Sequence, residues 1–135
     1  MSYLSKNTRR FIIGRAGNRC EYCRVLDYLV GFEYHVEHII GIQHGGSDAL
    51  SNLAYACSYC NWKKGPNIST ILFLGGELIP LFNPRTQNWF NHFEVRRGEV
   101  LPLTTIGEAT IKLLDINQST RVDARFEMML AGCYP

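Results

Sequence analysis

Two Cys-x-x-Cys pairs constrain the fold of this chain more than any other feature. The first pair is Cys20 and Cys23, and the second is Cys57 and Cys60. Thiolates at this paired spacing can close a tetrahedron around Zn²⁺, and in a reducing cytosol such pairs bind metal more often than they form disulfides. A redox-active dithiol is the other interpretation, and two neighbouring pairs fit it less well than they fit zinc. The spacing therefore predicts a structural zinc clasp.

Oxygen and nitrogen side chains lie in and just beyond the interval between the pairs. Zinc closed by four sulfurs has no open coordination position, so reactive chemistry must come from these other groups. Glu37 and Asn61 offer hard oxygen atoms that suit Mg²⁺ or Mn²⁺ and leave room for water and a substrate phosphate. His38 can accept a proton from a water molecule near pH 7. The pattern predicts a site for phosphate chemistry.

Length and charge limit the alternatives. A chain of 135 residues suits a single domain, here taken as 1–135, with a modest core that a metal site would stabilise. The net charge is only +2, but residues 1–24 carry six basic side chains against Glu21 alone, a local balance of +5. That asymmetry indicates either an anionic partner or a solvated helix face.

The apolar segments are too short or too interrupted for export or membrane insertion. Phe11–Ile13 is shorter than the apolar core of a secretory signal, and two glycines, a proline and Glu77 break the stretch from Ile68 to Phe82. We therefore expect a cytoplasmic protein with no membrane partner.

The predicted elements place these groups on a strand, a loop and a helix. Residues 5–17 have the pattern of a helix, and 32–40 is rich in aromatic and β-branched residues typical of a strand. A glycine-containing loop over 41–51 leads to a second short strand at 52–56. A short helix should then carry Asn61 and end at Gly65. Because neighbours in a strand point to opposite faces, the strand must twist or end between Glu37 and His38.

The second half of the chain resembles packing elements. Strands are predicted at 77–82 and 89–95, paired about a turn at 83–86. Two helices follow, one capped by Thr105 and running to Leu114, the other capped by Ser119 or Thr120 and running to Leu130. We treat residues 67–135 as an extension that could brace the core, read DNA or contact another subunit.

The motifs around the cysteines are similar to those of a known family. They resemble the HNH endonucleases, in the branch with four zinc-binding cysteines, over residues 18–66. Besides the cysteine pairs, the resemblance rests on His35-Val-Glu-His-Ile-Ile40, Gly45-Gly-Ser-Asp48, Asn52-Leu53, Asn61 and Lys64-Gly65.

The resemblance implies an α+β fold with a ββα-metal (His-Me finger) core and metal-dependent hydrolysis of DNA phosphodiester bonds. In the family pattern Glu37 is the acidic metal ligand, His38 the general base and Asn61 the second metal ligand. Asn52 matches the asparagine that holds the loop and the base in position. Two positions depart from the common pattern: Glu37 replaces an aspartate, and Gly41 replaces a proline.

Several basic side chains could contact DNA phosphates. The predicted nucleic-acid contacts are Arg9, Arg10, Arg15, His44, Lys63 and Lys64. The aromatic side chains of Tyr59, Trp62 and Trp89 could stack on bases or pack in the protein. A zinc-stabilised nucleic-acid-binding module without nuclease activity is the alternative function. DNA is the expected partner, and the assembly state is open, with a homodimer or a larger assembly allowed.

Overall fold

The computed structural model describes residues 4–135 and has the α+β class predicted from the sequence. Helices alternate with short antiparallel strand pairs, and each pair forms its own two-stranded sheet: β1 with β2, β3 with β4, and β5 with β6. The elements are α1 Lys6–Ala16, α2 Asp27–Val30, β1 His35–His38, β2 Leu53–Ala56, α3 Ser58–Lys64, β3 Ser69–Thr70, β4 Ile79–Pro80, α4 Trp89–His92, β5 Phe93–Arg96, β6 Glu99–Pro102, α5 Thr105–Leu113 and α6 Ser119–Leu130.

Helix α1 forms where the sequence predicts it. The Ser5 hydroxyl accepts a hydrogen bond from the backbone N–H of Thr8 at 3.1 Å and so caps the first turn. Gly17 ends the helix with a φ of 63°, a left-handed conformation that glycine adopts without a steric penalty. Ile12 is fully buried and anchors the helix on the core.

Strands β1 and β2 and helix α3 follow one another as the sequence predicts, but β1 is shorter than expected. It spans His35–His38 rather than 32–40, and it does not end between Glu37 and His38, because both residues pair with β2. Glu37 lies opposite Ala54, and His38 lies opposite Leu53. Helix α3 begins directly after Cys57, whose Sγ accepts from the Cys60 N–H at 3.4 Å.

The strand pairing predicted for the extension is wrong. β4 pairs with β3, residues 89–92 form helix α4, and β5 pairs with β6. The missed signal is the dipeptide Arg97-Gly98, which joins β5 to β6 with φ values of 49° and 82°. Positive φ at both central residues is the geometry of a two-residue hairpin turn whose twist matches that of the strands.

The two C-terminal helices are confirmed, with caps one residue earlier than predicted. Thr104 caps α5 by accepting from the Gly107 N–H at 3.1 Å, and Gln118 caps α6 through its side-chain oxygen. Among the described residues, no helix is long and apolar enough to cross a membrane.

The extension packs on the cysteine-containing segment and joins it by specific hydrogen bonds. The Trp89 indole N–H donates to the Tyr22 carbonyl at 2.8 Å, and the Tyr134 hydroxyl donates to the Cys23 carbonyl at 2.6 Å. Arg85 forms an ion pair with Glu21, and both side chains are mostly buried. Buried hydrophobic residues from α1, β2 and the extension form one continuous cluster. Of the three roles considered for the extension, these contacts support that of a brace.

Candidate zinc clasp and active site

The four cysteines come together as a buried cluster. The Sγ atoms of Cys20, Cys23, Cys57 and Cys60 all lie within 4.8 Å of one another, and those of Cys23 and Cys57 are 3.8 Å apart. A Zn–S bond of 2.3 Å in a tetrahedron requires S–S separations of about 3.8 Å. The cluster therefore has the donor set and the dimensions of a structural zinc site.

Groups around the cluster suit thiolates. The Cys23 N–H points at the Cys20 sulfur at 3.5 Å, and the guanidinium of Arg121, on α6, donates to the Cys60 sulfur at 3.1 Å. Burial opposes the charge of Arg121, but the neighbouring cysteines raise its pKa above the usual range. Burial likewise raises the pKa of the Cys20 and Cys60 thiols, so a metal that stabilises thiolates would relieve this penalty.

An open groove lies on the other side of α3. It has a volume of ≈ 770 Å³, and its lining includes the side chains singled out from the sequence: His35, Glu37, His38 and Asn61, with Trp62 beside them. Both strand β1 and helix α3 contribute to the groove, so the β-β-α succession brings residues from distant parts of the sequence to one surface. The structure thus assembles the predicted metal ligands and base in one place.

Glu37 is buried in the groove lining, and each of its carboxylate oxygens has one protein partner. One carboxylate oxygen accepts from the Tyr22 hydroxyl, and the other lies 3.1 Å from the Lys64 ammonium. The same ammonium donates to the carbonyls of His38 and Ile39 at 3.3 and 3.0 Å. Burial raises the pKa of Glu37 above its ordinary value, although Lys64 and Tyr22 oppose the rise.

His38 is paired with a carboxylate that the sequence reasoning did not assign a role. Its Nε2 lies 2.7 Å from an oxygen of Asp48, and the histidine side chain is 11% exposed. Asp48 closes the glycine-containing motif that was recognised in the sequence, but its partner could not be inferred without knowing how the loop folds back. An oriented histidine of this kind is the usual arrangement for a general base.

Asn52 holds the loop between β1 and β2. Its side-chain oxygen accepts from the Ile40 N–H at 2.9 Å, and its amide nitrogen donates to the Ile40 and Ser47 carbonyls at 2.9 and 2.8 Å. Gly46 lies tightly against this bridge, because a Cβ there would come within 1.7 Å of the Ile40 carbonyl oxygen. The bridge fixes the loop on the residue before Asp48, as the predicted loop-holding role requires.

Asn61 and His35 complete the groove. Asn61 is half-buried, and within residues 4–135 its side-chain amide makes no hydrogen bond to the protein. Its oxygen is therefore available to a ligand in the groove. The exposed His35 contacts the Ser58 hydroxyl through Nε2 at 3.2 Å, which ties β1 to the start of α3.

Comparison with known families agrees with this geometry. Residues 20–67 match the family model described as HNH endonuclease. These residues form an HNH endonuclease domain. Searches of curated proteins and of solved structures found no match. The matched segment contains both cysteine pairs and every groove residue discussed above, and an HNH endonuclease domain implies a nucleic-acid substrate.

Two of the predicted DNA contacts, Lys64 and Arg15, are engaged within the protein. The prediction for Lys64 is wrong: its side chain is 2% exposed and held by Glu37, so it cannot reach a phosphate. Arg15 donates to the carbonyls of Leu50 and Leu53 at 2.9 and 2.6 Å, which engages its guanidinium within the protein.

The remaining predicted contacts lie nearer solvent. Arg9 pairs with Glu33 at 3.0 Å at the edge of the groove, and His44 contacts the Pro66 carbonyl at 3.1 Å. Arg10 and Lys63 are exposed cations, with the Lys63 ammonium 3.9 Å from Asp115. Contact between these side chains and DNA stays a prediction.

Proposed function

We propose that this protein is a divalent-metal-dependent endonuclease that hydrolyses DNA phosphodiester bonds. The observation that carries the proposal is the contact of His38 with Asp48, together with the position of His38 in the same groove as Glu37 and Asn61. A histidine oriented by a carboxylate beside two oxygen ligands is the minimum that metal-assisted phosphodiester hydrolysis needs.

His38 acts as the general base. Asp48 accepts the Nε2–H, which leaves the Nδ1 lone pair to take a proton from the attacking water. The Asn52 bridge keeps the loop, and with it Asp48, against His38. Asp48 therefore positions His38, and the Asn52 bridge positions the loop that carries Asp48, before any substrate binds.

Glu37 and Asn61 would hold the catalytic metal. Each carboxylate oxygen of Glu37 has one protein partner and so keeps lone-pair capacity, and the amide oxygen of Asn61 is available. Bound Mg²⁺ or Mn²⁺ would stabilise negative charge on the phosphate and on the leaving oxygen. Burial raises the pKa of Glu37, and the Lys64 ammonium opposes that rise and so favours the ionised carboxylate.

A nucleic-acid-binding module without cleavage is the second candidate. The contact that favours it is the Lys64 ammonium on Glu37, because a carboxylate already neutralised by a buried cation attracts a metal ion less strongly. In this alternative the Glu37–Lys64 pair serves only to join β1 to α3, and the HNH domain binds DNA without hydrolysing it.

Nicking of supercoiled plasmid separates the two candidates. We expect nicking with Mg²⁺ or Mn²⁺ and none without added divalent ion. His38→Ala should slow nicking by about 10²- to 10⁴-fold, the usual contribution of a general base. The control is zinc content and circular dichroism of the same preparation, which should not change. Full activity of the variant would exclude His38 as the base, and absent cleavage across metals and across supercoiled, linear and single-stranded DNA would favour the binding module.

A further inference from the structure

The two tryptophans of this chain lie in opposite environments. Trp89 is 5% exposed, and its ring packs on Phe93 with centroids 4.7 Å apart. Trp62 is 83% exposed. In the described part of the chain, no aromatic ring or cation lies against its indole. Burial of a large apolar side chain stabilises a fold by about 1.5–3 kcal/mol, so the fold gains little from Trp62.

The position of Trp62 in the groove distinguishes it from an ordinary exposed side chain. Single exposed apolar side chains are common on protein surfaces and need no explanation by themselves. Trp62, however, directly follows Asn61 on α3 and lines the same groove as Glu37 and His38. Its indole therefore borders the place where a scissile phosphate would bind, on a helix fixed at its other face by the buried Cys60.

We propose that Trp62 stacks on an unpaired base next to the cleaved phosphate, and that the preferred substrate is single-stranded or locally opened DNA. The inference rests on the proposed endonuclease function and names its substrate class. Stacking of a base on an aromatic side chain contributes about 1–3 kcal/mol and does not depend on sequence, because every base has a π-face. Within a duplex both faces of an internal base are covered by its neighbours, so an opened strand gains this contact and an intact duplex does not.

Helix α3 also provides a matched control. Tyr59 is 61% exposed, one turn before Trp62, but it does not line the active-site groove. The guanidinium of Arg121 lies over its ring at 5.1 Å, and it borders a separate apolar cavity near the cysteines. Removing Tyr59 therefore removes a comparable exposed aromatic side chain from the same helix and leaves the groove intact.

The test is a binding measurement without added divalent ion, so that cleavage cannot interfere. The probes are a short oligothymidylate and a blunt duplex of equal length. Trp62→Ala should weaken binding of the single strand by about 5- to 150-fold, which corresponds to 1–3 kcal/mol, and binding of the duplex by less than about twofold. Tyr59→Ala should change neither affinity. Trp62→Phe keeps an aromatic ring and should lose less single-strand affinity than Trp62→Ala.

Tryptophan fluorescence gives an independent readout, because the chain has only two tryptophans. The single strand should quench the wild-type emission, while the emission of Trp89 in Trp62→Ala should not respond. Equal single-strand affinity of wild type and Trp62→Ala, or an equal loss on both probes, would overturn the stacking proposal. Plasmid nicking with Mg²⁺ or Mn²⁺ is scored separately, so failure of cleavage and failure of stacking are distinguishable.

Discussion

The two faces of helix α3 differ in burial, and the difference separates structure from chemistry. On one face Cys60 and Lys64 are 0% and 2% exposed, and they contact the cysteine cluster and the Glu37 carboxylate. On the opposite face Trp62 is exposed, and the half-buried Asn61, at the boundary between the two faces, lines the groove. Residues four apart share a helix face, so a helix of only seven residues can serve both sites.

The difference between the two faces of α3 indicates how a small domain stays folded while it keeps an open groove. Contacts from the extension converge on the cysteine cluster, against which the buried face of α3 packs: Trp89 on Tyr22, Tyr134 on Cys23, and Arg121 on Cys60. The groove is not lined by residues of the extension, and in the described structure the side-chain amide of Asn61 makes no hydrogen bond. Changes to Cys60 and Lys64 should therefore cost stability, whereas changes to the Asn61 and Trp62 side chains should leave stability nearly unchanged.

The largest effect is expected from Cys60→Ser. Structural zinc contributes about 10–16 kcal/mol in small zinc domains, which equals or exceeds the whole stability of a typical domain. The variant should bind no stoichiometric zinc and lose its cooperative thermal transition, as measured by metal analysis and circular dichroism. Cys133→Ser, outside the cluster, is the control and should behave as wild type. A folded, zinc-free Cys60→Ser protein would contradict the structural role of the clasp.

The neighbours Lys63 and Lys64 offer a matched test of burial. Lys64→Met leaves the buried Glu37 carboxylate without its cation and should lower the free energy of unfolding by about 3–5 kcal/mol. Lys63→Met removes an exposed lysine and should cost less than about 1 kcal/mol. Urea unfolding measures both. Equal midpoints for the two variants would show that the Glu37–Lys64 pair is not a structural contact.

Arg121→Met tests the contact between the extension and the clasp. The variant loses the donor to the Cys60 sulfur, and groups that contact metal ligands typically contribute about 10- to 100-fold to metal affinity. We expect a loss of zinc affinity in that range in a chelator competition assay. Arg121→Lys keeps the charge and should lose less. Unchanged affinity in Arg121→Met would mean that α6 packs on the clasp without stabilising its thiolates.

Asp48 should have the smallest effect of these positions, and the effect should be confined to activity. Asp48→Ala removes the acceptor that orients His38, and nicking should slow by about 10-fold, part of what the base supplies. Asp48→Asn keeps an acceptor oxygen and should be intermediate. Because Asp48 is 46% exposed, the unfolding free energy should change by less than about 0.5 kcal/mol. Unchanged nicking in Asp48→Ala would leave His38 without an orienting partner.

The parts of the fold that the sequence predicts are those with local signals. The cysteine cluster and the helix over residues 5–17 each depend on a few neighbouring residues, and the structure confirms both predictions. The pairing of the extension strands failed because the Arg97-Gly98 turn was not recognised. That error reflects an overlooked local motif rather than missing information.

For the candidate site, the sequence predicts which residues take part but not how they are buried and paired. His35, Glu37, His38 and Asn61 belong to the motif recognised in the sequence. The sequence therefore predicts these residues, and the fold brings them together in the groove. Burial and pairing depend on the folded chain, and this is why Lys64 was expected at the DNA and lies instead against Glu37. The partnership of Asp48 with His38 likewise requires the loop to fold back, which no spacing rule predicts.

Asn61→Ala tests the separation of the two faces most directly. The account predicts one zinc per chain and a thermal midpoint close to that of wild type, because the side-chain amide of Asn61 makes no hydrogen bond in the described structure. It also predicts loss of Mn²⁺ binding, measured by electron paramagnetic resonance, together with loss of plasmid nicking. A variant that keeps both Mn²⁺ binding and nicking, or that loses its zinc, would contradict the assignment of one face of α3 to structure and the other to catalysis.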